Sequence, residues 1–395
     1  MDDGELRETI FDEHDIIDEY DVVDEEENSI YSEDEDLEQD TQMVAADDPD
    51  DSVHSFTGHK KPVLTVACSP TDATLVATGG EDNKGFIWNI GQGDQTQEIS
   101  GHTDSVTSLA FSFDGKLLAS ASFDGLVQIW DVCSVNLTRK RILSGPTKGI
   151  EFVKWHPREH IVLAGSEDMK VWLWNADTGD YQKFVGHEAS VTCGDFTPDA
   201  KRICTGSNDA SLRIWENGEK FHVVKGHPYH TAPITCLTIT CDSNFAITGS
   251  EDGSVHVVNI ATGKVLHSLL SHSASVECVG ISPSLFCVAT GGLDQGLIFS
   301  DMHNTQRAVC RCICPDETNI SCLQWLGASR YIVTGCTDGN ILIWDRLSEK
   351  CMKTFRGHTD NITSLSVSSN GEFLVSSSMD TKVLVFKLAE IGNQT

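Results

Sequence analysis

Residues 101–131, GHTDSVTSLAFSFDGKLLASASFDGLVQIWD, are the stretch that decides the fold. Apolar side chains alternate with polar or small ones over 106–111, 117–122 and 126–130, and Asp-Gly pairs separate these runs. Such alternation between turn residues is typical of short antiparallel β-strands. The stretch therefore predicts a small sheet that begins after a Gly-His pair and contains a strand ending in Trp.

The same pattern recurs along the chain. Asp124 lies in a turn and is followed six residues later by Trp130, and the corresponding aspartates are separated by 42, 44, 41, 43, 42, 44 and 42 residues. Repetition at a fixed period of 20–50 residues is the signature of a repeat architecture. The other pairs are Asp82 with Trp88, Asp168 with Trp174, Asp209 with Trp215 and Asp338 with Trp344, and the weaker ones Asp252 with Val258, Asp294 with Phe299 and Asp380 with Phe386.

A Gly-His or Ser-His pair marks the start of most of these units, at 58–59, 101–102, 186–187, 226–227, 271–272 and 357–358. Units of about 43 residues with four short strands resemble the blades of the WD-repeat family. The resemblance covers residues 52–388 and implies an all-β fold, a single eight-bladed WD-repeat β-propeller over residues 52–395. Residues 52–57 precede the first unit, so we expect them to supply the outer strand of the last blade and close the ring.

Each blade of this family is often pinned by a hydrogen-bonded set of His, Asp, Ser or Thr, and Trp. The sets look like Ser/His/Asp catalytic groups, but they repeat at fixed blade positions, and buried polar groups need mutual hydrogen bonds. We therefore predict structural sets and no catalysis. Units three and seven lack the His, and units five, six and eight lack the Trp, so these blades are expected to rely more on apolar packing. The predicted sets are His59, Thr78, Asp82 and Trp88; His102, Ser120, Asp124 and Trp130; and His187, Thr205, Asp209 and Trp215.

The N-terminal segment, residues 1–51, differs sharply from the rest. It contains 24 of the 60 acidic residues and one base, Arg7, in a chain of net charge −32. Such a segment buries too little apolar surface to offset its ordering entropy, which predicts a disordered acidic arm. The arm is interpreted either as a solubilising tail or as a segment that attracts basic partners by long-range electrostatics. Phosphates would be repelled, so direct nucleic-acid binding is not expected.

Other classes of site have no support in the sequence. No long apolar run predicts a membrane span, and the acidic N-terminus does not resemble a signal peptide. The 14 cysteines are interpreted as reduced thiols, and the alternating Cys310, Cys312 and Cys314 do not suit a tetrahedral zinc site. No phosphate-binding, dinucleotide-binding or zinc-protease motif is present. No metal, cofactor or enzymatic activity is expected, and a closed ring needs no second copy, which predicts a monomer.

In WD-repeat proteins, partners commonly bind the narrow face through three positions per blade: the third and fifth residues after the His, and the residue before the turn Asp. Mapped here, these 24 positions include five glutamates and no Lys or Arg. An acidic ring with apolar inserts suits a short basic peptide with apolar anchors. A solvated surface without a ligand is the alternative. The predicted partner-binding residues are Glu81, Glu151, Glu167, Glu251, Glu277, Leu64, Phe123, Leu293 and Met379.

Two further stretches, ATGGEDNKGFIW at 77–88 and KWHPR at 154–158 with WLW at 172–174, narrow the resemblance. With the acidic arm and eight blades, the chain is similar to the family of angio-associated migratory cell protein. It is also similar to the fungal relative of that family, a dedicated chaperone for one ribosomal large-subunit protein. The resemblance implies capture of a basic N-terminus on the acidic face, in the cytoplasm with the nucleus as a second location. The alternative function is a signalling or cell-migration adaptor that binds partner proteins through the propeller face.

Overall fold

The computed structural model describes residues 49–92, 96–134, 136–216, 219–269, 271–284, 287–302 and 310–388. The predicted disordered arm therefore lies outside the described residues except for its last three. Residues 48–395 form one compact unit. The described secondary structure consists of β-strands and one short 3-10 turn, Pro315–Glu317.

The strands form eight four-stranded sheets, each with antiparallel neighbours, which confirms the predicted all-β, eight-bladed propeller. The first and innermost strands of the blades are β2 (Val63–Cys68), β6 (Val106–Phe111), β10 (Ile150–Trp155), β14 (Val191–Phe196), β18 (Ile234–Ile239), β22 (Val276–Ile281), β26 (Ile320–Trp325) and β30 (Ile362–Val367). The second strands are β3 (Leu75–Gly80), β7 (Leu117–Ser122), β11 (Ile161–Ser166), β15 (Arg202–Ser207), β19 (Phe245–Ser250), β23 (Cys287–Gly292), β27 (Tyr331–Cys336) and β31 (Phe373–Ser378).

The third strands are β4 (Gly85–Asn89), β8 (Val127–Asp131), β12 (Lys170–Asn175), β16 (Leu212–Glu216), β20 (Val255–Asn259), β24 (Gly296–Asp301), β28 (Ile341–Asp345) and β32 (Val383–Lys387). The outer strands are β5 (Thr96–Ile99), β9 (Thr138–Leu143), β13 (Tyr181–Val185), β17 (Glu219–Val224), β21 (Lys264–Ser268), β25 (Cys310–Ile313), β29 (Lys350–Phe355) and β1 (His54–Phe56). Blades 1 to 7 take consecutive strands from β2 to β29, and blade 8 combines β30, β31 and β32 with β1.

The ring closes where the two ends of the propeller meet. Strand β1 pairs with β32, with Ser55 opposite Leu384, and the inner strand β30 packs against β2. Closure of this kind removes the open sheet edges that would otherwise pair with other chains. Asp51, which the sequence prediction assigned to the arm, extends this junction: its N–H donates to the Arg356 carbonyl, and the Arg356 N–H donates to its carboxylate.

The hydrophobic core lies between neighbouring blades. One cluster, for example, joins Ala77 and Ile87 of blade 1 to Val106, Leu118 and Trp130 of blade 2. The second strand of each blade is buried on both faces, because it has a strand on either side and a blade above and below. Each blade therefore buries its apolar surface only by stacking on the next, which is why the repeat must continue around the whole ring.

The pinning sets of blades 2 and 4 form continuous hydrogen-bonded chains. In blade 2, His102 Nδ1 lies 2.9 Å from Asp124 and Nε2 lies 2.9 Å from Ser120 Oγ, which accepts a bond from Trp130 Nε1 at 3.1 Å. Blade 4 repeats this chain through His187, Asp209, Thr205 and Trp215. The Ser120 hydroxyl belongs to a side chain with no exposed surface, so a substrate cannot reach it.

Blade 1 departs from this pattern at its tryptophan. His59 contacts Asp82 and Thr78, both at 3.0 Å. Trp88, however, has a buried Nε1 with no hydrogen-bond partner among the described residues. The indole instead stacks on Phe56, with ring centroids 5.2 Å apart. The tryptophan of blade 1 thus acts through packing at the ring closure.

Blade 5 also differs from the sequence prediction. His227 of the Gly-His pair is exposed, and His230, three residues later, contacts Thr248 through Nε2 at 2.8 Å. The Tyr229 hydroxyl also contacts Thr248 at 2.8 Å, at the place where other blades use an indole N–H. The expectation that blade 5 relies on apolar packing was therefore wrong, because the local insertion brings in a second polar group.

Candidate functional site

The three candidate positions of each blade are brought together by one repeated backbone hydrogen bond. The residue before the turn Asp donates its N–H to the carbonyl of the third residue after the His, as in Glu81 to Pro62 at 2.9 Å and Phe123 to Ser105 at 3.1 Å. Because all eight blades repeat this bond, the candidate positions share one end of the ring. We call this end, where the second strand of each blade turns into the third, the narrow face.

The fifth position is special because it is a β-bulge in every blade. In blade 1 the register between β2 and β3 shifts between Val63 and Thr65, so Leu64 is the extra residue. A bulge aims its side chain out of the regular alternation of the strand. In five blades the bulge residue is Ser or Thr, and its hydroxyl donates to a carbonyl of the next inner strand, as in Thr107 to Ile150 at 2.7 Å and Thr192 to Ile234 at 2.6 Å.

The five predicted glutamates all lie at these narrow-face positions. Glu81, Glu151, Glu167 and Glu277 are half-buried, and Glu251 is exposed. Within the described ranges, none of their carboxylates takes part in an ion pair or a side-chain hydrogen bond. These five carboxylates are therefore not neutralised by a direct ion pair within the described residues. The face also carries bases near these positions, since Lys60, Lys61 and Lys148 are exposed in the segments that enter blades 1 and 3.

Blades 2 and 3 bring three of the predicted residues close together. Gly149 allows this contact, because a Cβ atom there would lie 2.6 Å from the Phe123 ring and 3.1 Å from the Glu167 carboxylate. Burial, and then the neighbouring charge of Glu167, raise the pKa of Glu151. Partial burial of a carboxylate without a partner is unfavourable, so a cation placed here would gain more than one at an exposed site. The other predicted residues are spread over blades 1, 5, 6 and 8.

Apolar side chains lie among the glutamates. Phe123 is 39% exposed and Leu293 is 43% exposed, whereas Leu64 and Met379 are half-buried. Sequence reasoning missed Met169, which directly follows the turn residue Asp168 and is 41% exposed. Its φ of +65° places it in the left-handed region, as is true of the residue after the turn Asp in the other blades, which is glycine in three of them and a non-glycine residue in four. The signal available in the sequence was a large apolar residue at this turn, two positions after the candidate Glu167.

Metal and membrane sites were also considered. Cys310 and Cys312 lie with their Sγ atoms 3.7 Å apart, yet no group of three or more His, Cys, Asp or Glu in the described residues is arranged to hold a metal ion. No helix in the described part of the chain has the length and apolar character needed to cross a membrane.

Comparison with known proteins gives consistent relatives. The WD domain, G-beta repeat family matches residues 50–89, 93–131, 137–175, 180–216, 218–259, 308–345 and 349–387. The unmatched segment between 259 and 308 contains β21 of blade 5 and the first three strands of blade 6. Human angio-associated migratory cell protein is 33% identical over 355 residues, which cover 86% of this chain and 80% of that protein. An uncharacterised WD repeat-containing protein of Schizosaccharomyces pombe is 28% identical over 350 residues, 85% of this chain and 86% of that protein.

Among solved structures, Sqt1 of Chaetomium thermophilum bound to the N-terminus of the ribosomal protein L10 has a TM-score of 0.79 at 22% identity, covering 86% of this chain and 100% of that one. Saccharomyces cerevisiae Sqt1 has a TM-score of 0.77 at 19% identity and covers 86% of this chain and 99% of that one. At these identities the likeness shows the fold. The matched repeats and the 33% identity together place the chain in the WD-repeat family, in the group of angio-associated migratory cell protein.

Proposed function

We propose that this propeller is a non-catalytic, protein-binding chaperone that captures the basic N-terminus of a ribosomal large-subunit protein on its narrow face. The observation that carries the proposal is the set of five glutamates there, whose carboxylates make no ion pair or side-chain hydrogen bond with the described residues. The fold likeness to Sqt1 bound to the N-terminus of ribosomal protein L10 supports it. The proposed place of action is the cytoplasm, with the nucleus as a second location.

The physical basis is the difference between paired and unpaired carboxylates. A client cation that meets an unpaired, half-buried carboxylate forms a charge-assisted hydrogen bond without breaking an existing one. Exposed Phe123 and Leu293 add apolar contacts, which supply affinity that does not depend on salt. The acidic residues attract a basic client over a Debye length of about 8 Å at physiological ionic strength. Binding should therefore weaken, but persist, as salt increases.

Calorimetric titration of the full chain with the basic N-terminal peptide of ribosomal protein L10, at low and physiological salt, tests the proposal. The variant is the double charge reversal Glu81→Lys with Glu251→Lys. The matched control is Glu159→Lys with Glu372→Lys, because both residues are exposed in the loops between the first and second strands, at the opposite end of the ring. Both variants change the net charge equally.

We expect salt-dependent binding that is weakened at least tenfold more by the first variant than by the control, since the loss of each close charge pair costs about 1.4 kcal/mol or more. Equal effects of the two variants would show attraction by net charge alone and would contradict a narrow-face site. The exposed Phe123, Leu293 and Met169 favour a second candidate, an adaptor that binds apolar segments. That function predicts binding that changes little with salt.

A further inference from the structure

The bulge position of the inner strands carries a second pattern, which concerns the contact between blades. In blades 2, 4, 5, 7 and 8 a hydroxyl at the bulge donates to a carbonyl of the following blade. The tie between blades 8 and 1, from Thr363 to Val63, joins the two ends of the chain. In these five blades the bulge residue has a structural role, because its hydroxyl donates one hydrogen bond to the neighbouring blade.

Blades 1, 3 and 6 break this pattern. Their bulge residues are Leu64, Glu151 and Glu277, and neither a leucine nor a carboxylate can donate. By position, the carbonyls that would accept the tie from Glu151 and Glu277 are those of Val191 and Ile320. In the intact tie of blade 4, the Thr192 hydroxyl lies 2.6 Å from the Ile234 carbonyl and 3.5 Å from the Gly206 carbonyl of its own blade.

Where a glutamate replaces that threonine, the carboxylate and the carbonyl of the next blade are both hydrogen-bond acceptors, and neither can donate to the other. At blade 3, the Val191 carbonyl lies so near Gly165 that a Cβ there would be 2.5 Å from it, and Glu151 adds its carboxylate at the same bulge. Buried carbonyl groups are nearly always hydrogen-bonded. A ligand group that bonds to both the carbonyl and the carboxylate must bring N–H or O–H donors, and a positive charge on it would offset the carboxylate.

We propose that Glu151 and Glu277 are the residues that select the client's cations, each binding a lysine ammonium together with the carbonyl of the next blade, while Leu64 receives an apolar side chain. This inference rests on the proposed function and names the chemistry of the same site. An ammonium is compact and carries three donors, which suits convergent acceptors in a half-buried niche. A guanidinium is planar and suits an open, bidentate carboxylate, so arginine is the poorer fit.

The three departures also define a spacing. Leu64 lies two blades from Glu151 around the ring, and Glu277 lies three blades from each of them. A client segment that lies across the narrow face therefore presents an apolar side chain and two lysines to three separated points. The exposed Glu251 and half-buried Glu81 lie at the turn position, outside the inter-blade ties, where a client cation meets a carboxylate without the carbonyl of the next blade.

The test uses substitutions that the chain itself supplies. Glu151→Thr and Glu277→Thr install the hydroxyl found in the other blades, so they should leave the thermal unfolding temperature unchanged or raise it. Glu251→Thr makes the same chemical change on the same face at an exposed turn residue and is the matched control. Two probes are titrated into the full chain at physiological salt: the L10 N-terminal peptide with all its basic residues as lysine, and the same peptide with arginine.

We expect the lysine peptide to bind at least several-fold more tightly than the arginine peptide. Each bulge substitution should lower the affinity for the lysine peptide about tenfold or more, because it removes a charged hydrogen-bond partner. Glu251→Thr should lower this affinity less. Equal effects of all three substitutions, with binding intact in the wild type, would overturn the selective role and leave the proposed function standing. Tighter binding of the arginine peptide would overturn the ammonium assignment. Failure of both peptides to bind the wild-type chain would overturn both proposals.

Discussion

The substitution Phe56→Ala should destabilise the propeller where its first and last blades meet. Phe56 is 8% exposed and lies in the three-residue strand β1, the only part of blade 8 that comes from the N-terminal end. Its ring stacks on Trp88 at 5.2 Å and contacts Phe86 at 5.4 Å and His59 at 6.0 Å. Phe→Ala in a core costs about 3–5 kcal/mol, and each lost aromatic pair adds about 0.5–1.5 kcal/mol. We therefore expect Phe56→Ala to lose stability at the upper end of the core range.

The assay is denaturant unfolding followed by tryptophan fluorescence and circular dichroism. Phe113→Ala is the control, because that ring is 45% exposed in a loop of blade 2 and its removal should change stability by about 0.5 kcal/mol or less. A loss for Phe56→Ala no greater than for the control would refute the view that β1 holds the ring closed. Removal of residues 1–48, by contrast, should leave the unfolding midpoint unchanged, since the contacts of Asp51 with Arg356 are kept.

Two further predictions concern the pinning sets. Burial, and then the neighbouring His256, lower the pKa of His230 from 6.5 to about 4. As the pH is lowered, His230 in the unfolded chain takes up a proton near pH 6.5, whereas in the folded chain it does so only near pH 4. The free energy of unfolding is therefore highest above pH 6.5 and decreases between pH 6.5 and pH 4, by on the order of 3 kcal/mol. Denaturant midpoints measured from pH 7 to pH 4 check this, and His230→Gln should flatten the profile. Trp215→Phe should cost about 0.5–1.5 kcal/mol more than Trp88→Phe in the same denaturation assay, because Trp215 donates to Thr205 at 2.9 Å whereas Trp88 has no such partner within the described residues. Equal costs would contradict the second prediction.

The fold could be predicted from the sequence because its determinants are local and repeated. The alternation within residues 106–130 specifies strands, and the regular recurrence of Asp and Trp specifies how many blades there are. The polar sets of blades 2 and 4 were predicted by the resemblance to the WD-repeat family, and the structure forms both of them. The set of blade 5 was not predicted, since the segment from His227 to His230 shifts the histidine by three residues and brings Tyr229 into the set. An insertion changes which side chain reaches a fixed point, and spacing alone does not show that.

The candidate site was predictable as a set of positions but not as a set of contacts. The family resemblance placed Glu151 and Thr107 in the same class of position. It did not show that Thr107 bonds to Ile150 of the following blade, because that contact joins residues 43 apart and depends on how two blades stack. The stacking of Trp88 on Phe56 is similar, since it joins a strand of blade 1 to the closing strand β1 and depends on how the ring closes.

Because the bulge position occurs once in each of the eight blades, its eight residues can be compared, and residues with a structural role can be distinguished from those without one. If every blade needed the inter-blade tie, a carboxylate in place of a hydroxyl would be strongly selected against, since it removes a donor and adds a half-buried charge. Five ties, including the one from Thr363 that joins the chain ends, evidently suffice to hold eight blades whose cores already interlock. The departures at Glu151 and Glu277 are thus unexplained by packing, which is why we propose that a ligand binds at these two positions. The same comparison separates Glu251, whose exposed turn position imposes no structural requirement, from these two.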